Sequence, residues 1–358
     1  MPTVPSAGAP SSGRLEICVW GANAVCEPWT HADRLRQETS VMKVAVIGAG
    51  AVGSACLTAL VMRGCATEIL VIDRTPERAR GLVTDVQYGA TLSPPVRIRA
   101  GDYSDLKGAV LVMITAGVNE KTGGATDRAD PAGRLRLLDT NVGVYRDIIS
   151  RLDAVEPDAM VLVVTDPPDP LADATRMMGH GRVLSTGTYL DSLRFRFHLA
   201  RRLGVSASSV SAQVLGEHGT SEVFAWSSAH VAGVPIEALH ARQTGEDFDK
   251  FRRDVEDEVR YANISIIEGI GASQHGIGMV SARIAEIILR DERVAIPIGS
   301  YSPEYGVTLS LPGIVGREGV LQTLDPELNK EERQGLLRSV DTLKAALGRI
   351  RKSELQPS

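Results

Sequence analysis

The fold of this chain is indicated most clearly by one stretch of sequence, Lys43-Val44-Ala45-Val46-Ile47-Gly48-Ala49-Gly50-Ala51-Val52-Gly53. After Lys43, the next four residues are β-branched or apolar, which is typical of a buried strand. The spacing GxGxxG follows, and the residues from Val52 to Arg63 have the pattern of a helix. Gly48 permits a tight turn, Gly50 leaves its backbone open to a close neighbour, and Gly53 lets the helix pack against the strand. The stretch therefore predicts a strand, a glycine turn and a helix.

An acidic residue after the next predicted strand turns this pattern into a cofactor prediction. Asp73 follows the strand Glu68 to Ile72, 20 residues after Gly53, where a carboxylate hydrogen-bonds the ribose hydroxyls of NAD. Free N–H groups at the start of the helix bind the phosphates. Asp73 would repel the 2′-phosphate of NADP, which favours NAD, and Arg74 beside it keeps NADP as an alternative.

The rest of the chain extends this unit into two domains. Short β-branched runs alternate with helices up to about residue 188, which indicates parallel βαβ units. Beyond about residue 190 the helices lengthen and carry apolar stripes, one from Phe251 to Ile267 and one from Leu336 to Ile350. We predict an α/β chain, with a Rossmann-type doubly wound parallel sheet over 42–188, an α+β catalytic domain over 189–352, and a tail over 353–358. Further strands are expected at Val96–Ala100, Ala109–Thr115, Met160–Thr165, Arg182–Ser185 and Val210–Leu215.

Residues 1–41 differ from the rest in composition. They begin rich in Pro, Ser, Ala and Gly and show no sustained periodicity, so a disordered or mis-annotated tail is expected. Met42 opens the first strand, and we expect it to be the biological start.

Composition and charge exclude several classes of function. The chain of 358 residues is 43% hydrophobic and 23% charged, which is ordinary for a globular protein. Its net charge of −5 offers no basic field for nucleic acid, and no apolar run is long enough to span a membrane. The 4 Cys lack CxxC spacing, so neither a metal site nor a disulfide framework is predicted, and a reducing cytoplasm is expected.

Hydride transfer to a carbonyl also requires a proton donor, and one histidine stands out for that role. His218 lies in Leu215-Gly216-Glu217-His218-Gly219, where glycines on both sides leave the imidazole uncovered. Asp191 and Arg194 lie three residues apart at a predicted helix start, so one turn presents an acid and a guanidinium to the same space. An Arg fork binds a carboxylate bidentately. A surface helix pair is the alternative interpretation of these two residues.

Together these motifs resemble the L-lactate/malate dehydrogenase family, from Lys43 nearly to the C-terminus. The motifs occur in the order of that family: GxGxxG, Asp73, Gly101-Asp102-Tyr103-Ser104-Asp105, Thr115-Ala116-Gly117, Leu190-Asp191-Ser192-x-Arg194, Gly216-Glu217-His218-Gly219 and Leu311-Pro312-Gly313-Ile314-Val315-Gly316. The resemblance implies a homodimer or homotetramer that acts on a small 2-hydroxy or 2-oxo acid.

The resemblance also implies a role for each matching residue. His218 would exchange the proton with the substrate oxygen, Asp191 would orient His218 and stabilise its imidazolium, and Arg194 would bind the substrate carboxylate. Arg134, on a mobile loop, would polarise the substrate carbonyl, with Arg128 and Arg136 as lesser candidates for this role. Cofactor contacts are expected from Gly48, Gly50, Val52, Gly53, Asp73, Tyr103, Thr115, Ala116, Gly117 and Thr165.

Three departures from the family bear on the substrate. The loop from Asn119 to Arg134 is about eight residues longer than usual. By the resemblance, Glu120 stands where lactate enzymes have Gln and malate enzymes Arg, so it should repel a second substrate carboxylate; the alternative is that Lys121 faces the pocket instead. Asp166, before a Pro167 that we expect to be cis, replaces an Asn. Either Asp166 is protonated, or the substrate differs from that of the family, for instance by carrying an amine or a cation. Ser273 stands at a position in the substrate wall, with packing as the equal alternative.

These observations favour an NAD-dependent L-2-hydroxy acid dehydrogenase that is similar to lactate dehydrogenase and reduces a 2-oxo acid such as pyruvate. Malate dehydrogenase, or a dehydrogenase for another 2-oxo acid, is the alternative within the class. Outside the class, Asp166 and the long loop leave an inactive NAD-binding regulatory protein as an alternative.

Overall fold

A computed structural model describes residues 42–118, 135–244 and 246–350. The described residues from Met42 onward form one compact unit. In these ranges no helix is both long enough and apolar enough to cross a bilayer.

The first half alternates strands and helices as predicted. The elements are β1 (Lys43–Ile47), α1 (Ala51–Arg63), β2 (Glu68–Ile72), α2 (Pro76–Ala90), β3 (Arg97–Ala100), β4 (Ala109–Ile114), α3 (Leu135–Asp153), β5 (Met160–Val163), α4 (Pro168–Met177) and β6 (Val183–Ser185). All five residues of β1 are buried, as expected of a central parallel strand. Helix α1 ends at Gly64, whose φ of 59° lets its N–H donate to the carbonyls of Leu60 and Val61.

The second half contains longer helices and short strands. The elements are α5 (Tyr189–Leu203), β7 (Val210–Ser211), β8 (Val214–Leu215), β9 (Val223–Phe224), β10 (His230–Val231), β11 (Val234–Pro235), α6 (Ile236–Gln243), α7 (Phe248–Arg260), α8 (Ala262–Ile270), α9 (His275–Leu289), β12 (Val294–Ser302), β13 (Val307–Gly316), β14 (Gly319–Thr323) and α10 (Lys330–Arg349).

Strand order positions the site. Within the described ranges the main sheet has nine strands in the order β14-β13-β12-β6-β5-β4-β1-β2-β3. Strand β1 pairs in parallel with both β2 and β4, so the chain order reverses at β1. In open α/β sheets, ligands bind beyond the carboxyl ends of the strands at such a reversal. The glycine turn after β1 lies at this point.

Helices cover both faces of the sheet. Buried side chains of α1, α2 and α9 pack on one face, and those of α3, α4 and the end of α10 pack on the other. The sheet continues past the predicted domain boundary at residue 188, because Ser185 of β6 pairs with Gly299 of β12. The boundary itself stays a prediction.

Two details differ from the sequence-based expectation. The single strand expected over Val210–Leu215 is two strands, because β7 pairs with β10 whereas β8 pairs with β9. The apolar stripe that begins at Phe251 is shared by two helices, since α7 ends at Arg260 and α8 begins at Ala262. As a result Ile266, expected in the stripe, is 37% exposed.

Candidate active site

The three glycines of the turn after β1 have three different surroundings. Gly48 has φ of 110°, and a Cβ there would lie 2.8 Å from both Ala116 N and Thr115 Oγ1. A Cβ on Gly53 would lie 1.8 Å from the carbonyl oxygen of Gly48. A Cβ on Gly50 would meet none of the described atoms within 4 Å. The fold therefore requires glycine at Gly48 and Gly53, whereas at Gly50 it leaves the backbone open for a ligand.

Asp73 lies beside this turn, at the end of β2. Its Oδ2 accepts a hydrogen bond from the N–H of Ala49 at 2.7 Å, and its Oδ1 accepts one from Thr75 at 2.9 Å. Each oxygen keeps a further lone pair for a ligand hydroxyl. An open glycine backbone, the N-terminus of α1 and a fixed carboxylate fit the phosphates and ribose of a dinucleotide.

Tyr103 lies near this carboxylate, in a short 3₁₀ turn of residues Tyr103–Leu106. Burial raises the pKa of Tyr103 to about 12, and the nearby carboxylates of Asp147 and Asp73 add to the effect. Its hydroxyl therefore stays protonated and able to donate near Asp73.

His218 and Arg194 line one cleft at the carboxyl ends of the strands. The predicted residues that line it are Val52, Thr115, Gly117, Thr165, Asp166, Arg194, His218 and Ser273. The predicted residues that are not among its lining residues are Gly48, Gly50, Gly53, Asp73, Tyr103, Ala116 and Asp191. Arg134 and Glu120 lie outside the described residues.

Asp191 connects the two other key side chains. Its Oδ2 lies 2.5 Å from Nδ1 of His218, and its Oδ1 accepts a hydrogen bond of 2.8 Å from the guanidinium of Arg194. The Asp191 side chain is 3% exposed, compared with 15% for His218 and 13% for Arg194. A buried acid thus orients an imidazole and a guanidinium that both face the cleft, and the surface-pair interpretation is wrong.

Asp169, which was not predicted from the sequence, binds the main chain of His218. Its Oδ2 accepts a hydrogen bond from the backbone N–H of His218 at 2.9 Å, and its Oδ1 accepts one from Ser185 Oγ at 2.5 Å. Burial raises the pKa of Asp169 to about 6, while these two hydrogen bonds act in the opposite direction. The acid therefore links β6, α4 and the loop that carries His218.

Asn141 of α3 is a second residue that the prediction missed. It is fully buried, its Oδ1 accepts from the N–H of Val118, and its Nδ2 donates to the carbonyl of Asp166, both at 2.8 Å. Asn141 therefore ties the turn after β4 to the turn after β5. A buried Asn in an apolar helix face was the available signal. The Asp166–Pro167 bond is cis, which confirms the prediction for this bond.

The remaining wall of the cleft comes from α5, α8 and α9. Other residues lining the cleft include Leu190, Asn263, Ile267, Ala272 and Ile277. They make this wall mostly apolar, and Asn263 and Ser273 add polar groups. Nothing in their local sequence marked Asn263 or Ile267, because only tertiary packing brings α8 to the cleft.

Two family models match most of this chain. The family model described as "lactate/malate dehydrogenase, NAD binding domain" matches residues 42–183, and "lactate/malate dehydrogenase, alpha/beta C-terminal domain" matches residues 188–354.

Curated relatives and solved structures match at similar length. The L-lactate dehydrogenase of Chloroherpeton thalassium is 41% identical over 313 residues, which cover 86% of this chain and 100% of the relative. That of Deinococcus radiodurans is 41% identical over 304 residues, covering 85% of this chain and 97% of the relative. The crystal structure of a minor L-lactate dehydrogenase from Enterococcus mundtii has a TM-score of 0.79 and 32% identity, and the match covers 88% of this chain and 100% of that one.

Proposed function

Because the chain belongs to the lactate/malate dehydrogenase family, we propose that it interconverts a 2-oxo acid such as pyruvate and the corresponding L-2-hydroxy acid. The chain is an NAD-dependent oxidoreductase that acts on a CH–OH group and resembles lactate dehydrogenase in its activity. The single observation that carries the proposal is the shared carboxylate of Asp191, which holds His218 and Arg194 together at one cleft.

Each of the three side chains has a role that follows from its chemistry. Arg194 binds the carboxylate of the substrate, since its planar guanidinium matches two carboxylate oxygens. His218 donates a proton from Nε2 to the substrate oxygen in reduction and takes it back in oxidation. Asp191 accepts the hydrogen bond that Nδ1–H of His218 donates, which fixes the tautomer of the imidazole and stabilises the imidazolium. Arg134 completes the site in this proposal by polarising the carbonyl.

The residues around the glycine turn fit NAD. Gly50 and the N-terminus of α1 would hold its phosphates, Asp73 would bind its adenosine ribose, and Val52, Thr115, Ala116, Gly117 and Thr165 would line the path towards the nicotinamide. When bound, the cofactor supplies or accepts the hydride. Tyr103 would contribute a hydroxyl at the adenosine end.

We propose a monocarboxylic substrate. The family resemblance assigns Glu120 to the position that contacts the side chain of the substrate, and its negative charge there would repel a second carboxylate. The apolar side chains Leu190, Ile267 and Ile277 line the cleft and suit a short aliphatic group. Malate dehydrogenase is therefore the weaker alternative.

The test is NADH oxidation by the purified chain with pyruvate, oxaloacetate, branched-chain and amino-bearing 2-oxo acids. We expect kcat/KM for pyruvate to exceed that for oxaloacetate by at least about tenfold, which is roughly 1.4 kcal/mol of discrimination. No turnover with any acid, together with measurable NADH binding, would favour a non-catalytic NAD-binding protein.

We further propose that the chain works in the cytoplasm as a homodimer or homotetramer. Cys56 and Cys65 are free and buried, which suits a reducing compartment. Large apolar side chains are exposed on helices of the described chain, including Met62 at 72%, Tyr88 at 71% and Met279 at 63%. Size-exclusion chromatography with light scattering measures the mass of the assembly. A mass of one chain at micromolar concentration would contradict the proposed homodimer or homotetramer.

A further inference from the structure

A second carboxylate faces the catalytic imidazole from the side opposite Asp191. Oδ1 of Asp166 lies 3.7 Å from Nε2 of His218, whereas Asp191 Oδ2 lies 2.5 Å from Nδ1. The Asp166 side chain is 24% exposed, so water screens it only in part. Both ring nitrogens of His218 therefore face an acid, and Nε2 is the atom that exchanges the proton with the substrate.

The backbone of Asp166 is held in place. Its carbonyl accepts the hydrogen bond of the fully buried Asn141 at 2.8 Å. The main chain of Asp166 is thus fixed to α3, and this contact helps to keep the Asp166 side chain near Nε2 of His218. An opposite charge within about 4–6 Å favours the charged form of a titrating group, so Asp166 favours the imidazolium.

Other charged groups also act on His218. Asp191 of α5 contacts Nδ1 of His218 and also binds Arg194, Asp169 of α4 accepts the His218 backbone N–H, and Glu217 precedes His218 in the chain. Arg194 opposes the positive charge on the imidazole, and the acids favour it. Replacing Asp166 by Asn keeps its size and its position before proline, and removes one charge from this set. The substitution therefore isolates the effect of that charge.

We propose that Asp166 is a positioning residue for the proton on His218: its carboxylate, 3.7 Å from Nε2, stabilises the imidazolium by its charge and so keeps the Nε2–H available for the oxygen of the 2-oxo acid. In reduction the Nε2–H bond then breaks, its electron pair stays on the ring, and the O–H bond of the product forms. An uncharged amide at this position would exert no such attraction. The inference rests on the proposed function and specifies how its proton donor is kept charged.

The same charge has an opposite effect on substrate binding. The carboxylate of the substrate enters a cleft that already holds Asp166, so the acid weakens its binding to Arg194. Asp166 therefore extends reduction to higher pH at the expense of affinity for the anionic substrate. These two effects separate the charge of Asp166 from a role in folding alone.

The experiment compares wild type with Asp166→Asn, Asp166→Glu and the control Asp158→Asn, an exposed acid before β5. Reduction needs the imidazolium, so its kcat/KM is lost as pH rises. We expect this alkaline limb to move down by about one pH unit in Asp166→Asn, a roughly tenfold loss above the limb. KM for the 2-oxo acid should fall severalfold below the limb. In Asp166→Glu, which keeps the charge, the alkaline limb and KM should lie closer to those of wild type than in Asp166→Asn. In the control Asp158→Asn both quantities should equal those of wild type.

A second measurement uses the protein without substrate or cofactor. Diethyl pyrocarbonate acylates the neutral imidazole, and His218→Asn provides the background from the other histidines. We expect His218 in Asp166→Asn to react severalfold faster than in wild type near neutral pH, because more of it is neutral.

The outcomes separate failure of the role of Asp166 from failure of the proposed dehydrogenase activity. An unmoved limb and an unchanged acylation rate in Asp166→Asn would overturn this inference, as would a lower kcat at every pH with the limb in place. If wild type turns over no 2-oxo acid, the proposed function fails, whereas the acylation rates still decide whether Asp166 acts on His218.

Discussion

At the scale of single residues, the site depends on buried acids. Asp191 orients two groups that face the cleft, and Asp169 holds the main chain of His218. His218, Asp191 and Arg194 were predictable because each stands in a short local pattern of glycines or helix spacing. Asp169 and Asn141 were not, since their partners Ser185, His218, Val118 and Asp166 are distant in the sequence.

The buried Asp169 predicts a pH dependence of stability. Its pKa rises from 3.8 to about 6 on folding, so between these values the native state binds a proton that the unfolded chain has lost. This contribution is present below about pH 4 and is lost as the pH rises through about 6, with a magnitude of about 3 kcal/mol. Asp169→Asn should remove this pH-dependent contribution, because an amide does not titrate in this range. The amide can still accept from the backbone N–H of His218 and donate to Ser185 Oγ, so both contacts are kept.

The measurement is urea unfolding of wild type and Asp169→Asn between pH 4 and pH 8, with Asp158→Asn as the control for loss of one exposed acid. The free energy of unfolding of Asp169→Asn should fall less over this range than that of wild type. An equal fall in both proteins would show that Asp169 is not the titrating group.

At the scale of elements, the glycine turn and α1 were predicted from the sequence almost to the residue, because their chemistry is local. The hairpin of β12 and β13 was missed. Pro297 pairs with Pro312 across it, and Gly313 and Gly316 lie in β13, so residues that usually indicate turns occur in long strands. Gly299 is required there, since a Cβ would lie 1.7 Å from Ser185 Oγ.

Three glycine substitutions test whether the turn after β1 separates folding from binding. Gly50→Ala should leave the melting temperature unchanged and weaken NADH binding at least about tenfold, because only a ligand meets the new methyl group. Gly53→Ala should destabilise the fold by about 3 kcal/mol through the contact with the Gly48 carbonyl. Gly81→Ala, in an open position of α2, should leave NADH affinity unchanged and raise stability by about 0.5 kcal/mol.

Thermal unfolding and a fluorescence titration with NADH give both quantities for each variant. A destabilised Gly50→Ala protein that binds NADH normally would contradict the assignment of this turn to the cofactor.

At the scale of the whole molecule, the fold class could be read from alternating strands and helices, whereas the continuity of the sheet could not. Local patterns do not show which strand pairs with which, and the joining of β6 to β12 connects residues more than a hundred positions apart. For the same reason the sequence could not show that α8 and α9 complete the cleft.

This continuity predicts cooperative unfolding of the described unit. Trp226 is buried in the second half, where its indole N–H donates to Glu256 at 2.7 Å. In a variant with Trp20 and Trp29 replaced by Phe, the loss of Trp226 fluorescence should coincide with the loss of helical circular dichroism in urea. Two separated transitions would indicate that 42–188 and 189–352 fold independently.

The central claim is that this molecule is a dehydrogenase whose proton carrier is His218. Its most direct test is the rate of NADH oxidation by pyruvate with wild type and His218→Asn, measured beside the NADH affinity of both proteins. We expect kcat/KM to be lowered by about 10³-fold in the variant, with NADH affinity nearly unchanged. A variant with kcat/KM within a few-fold of wild type would contradict it.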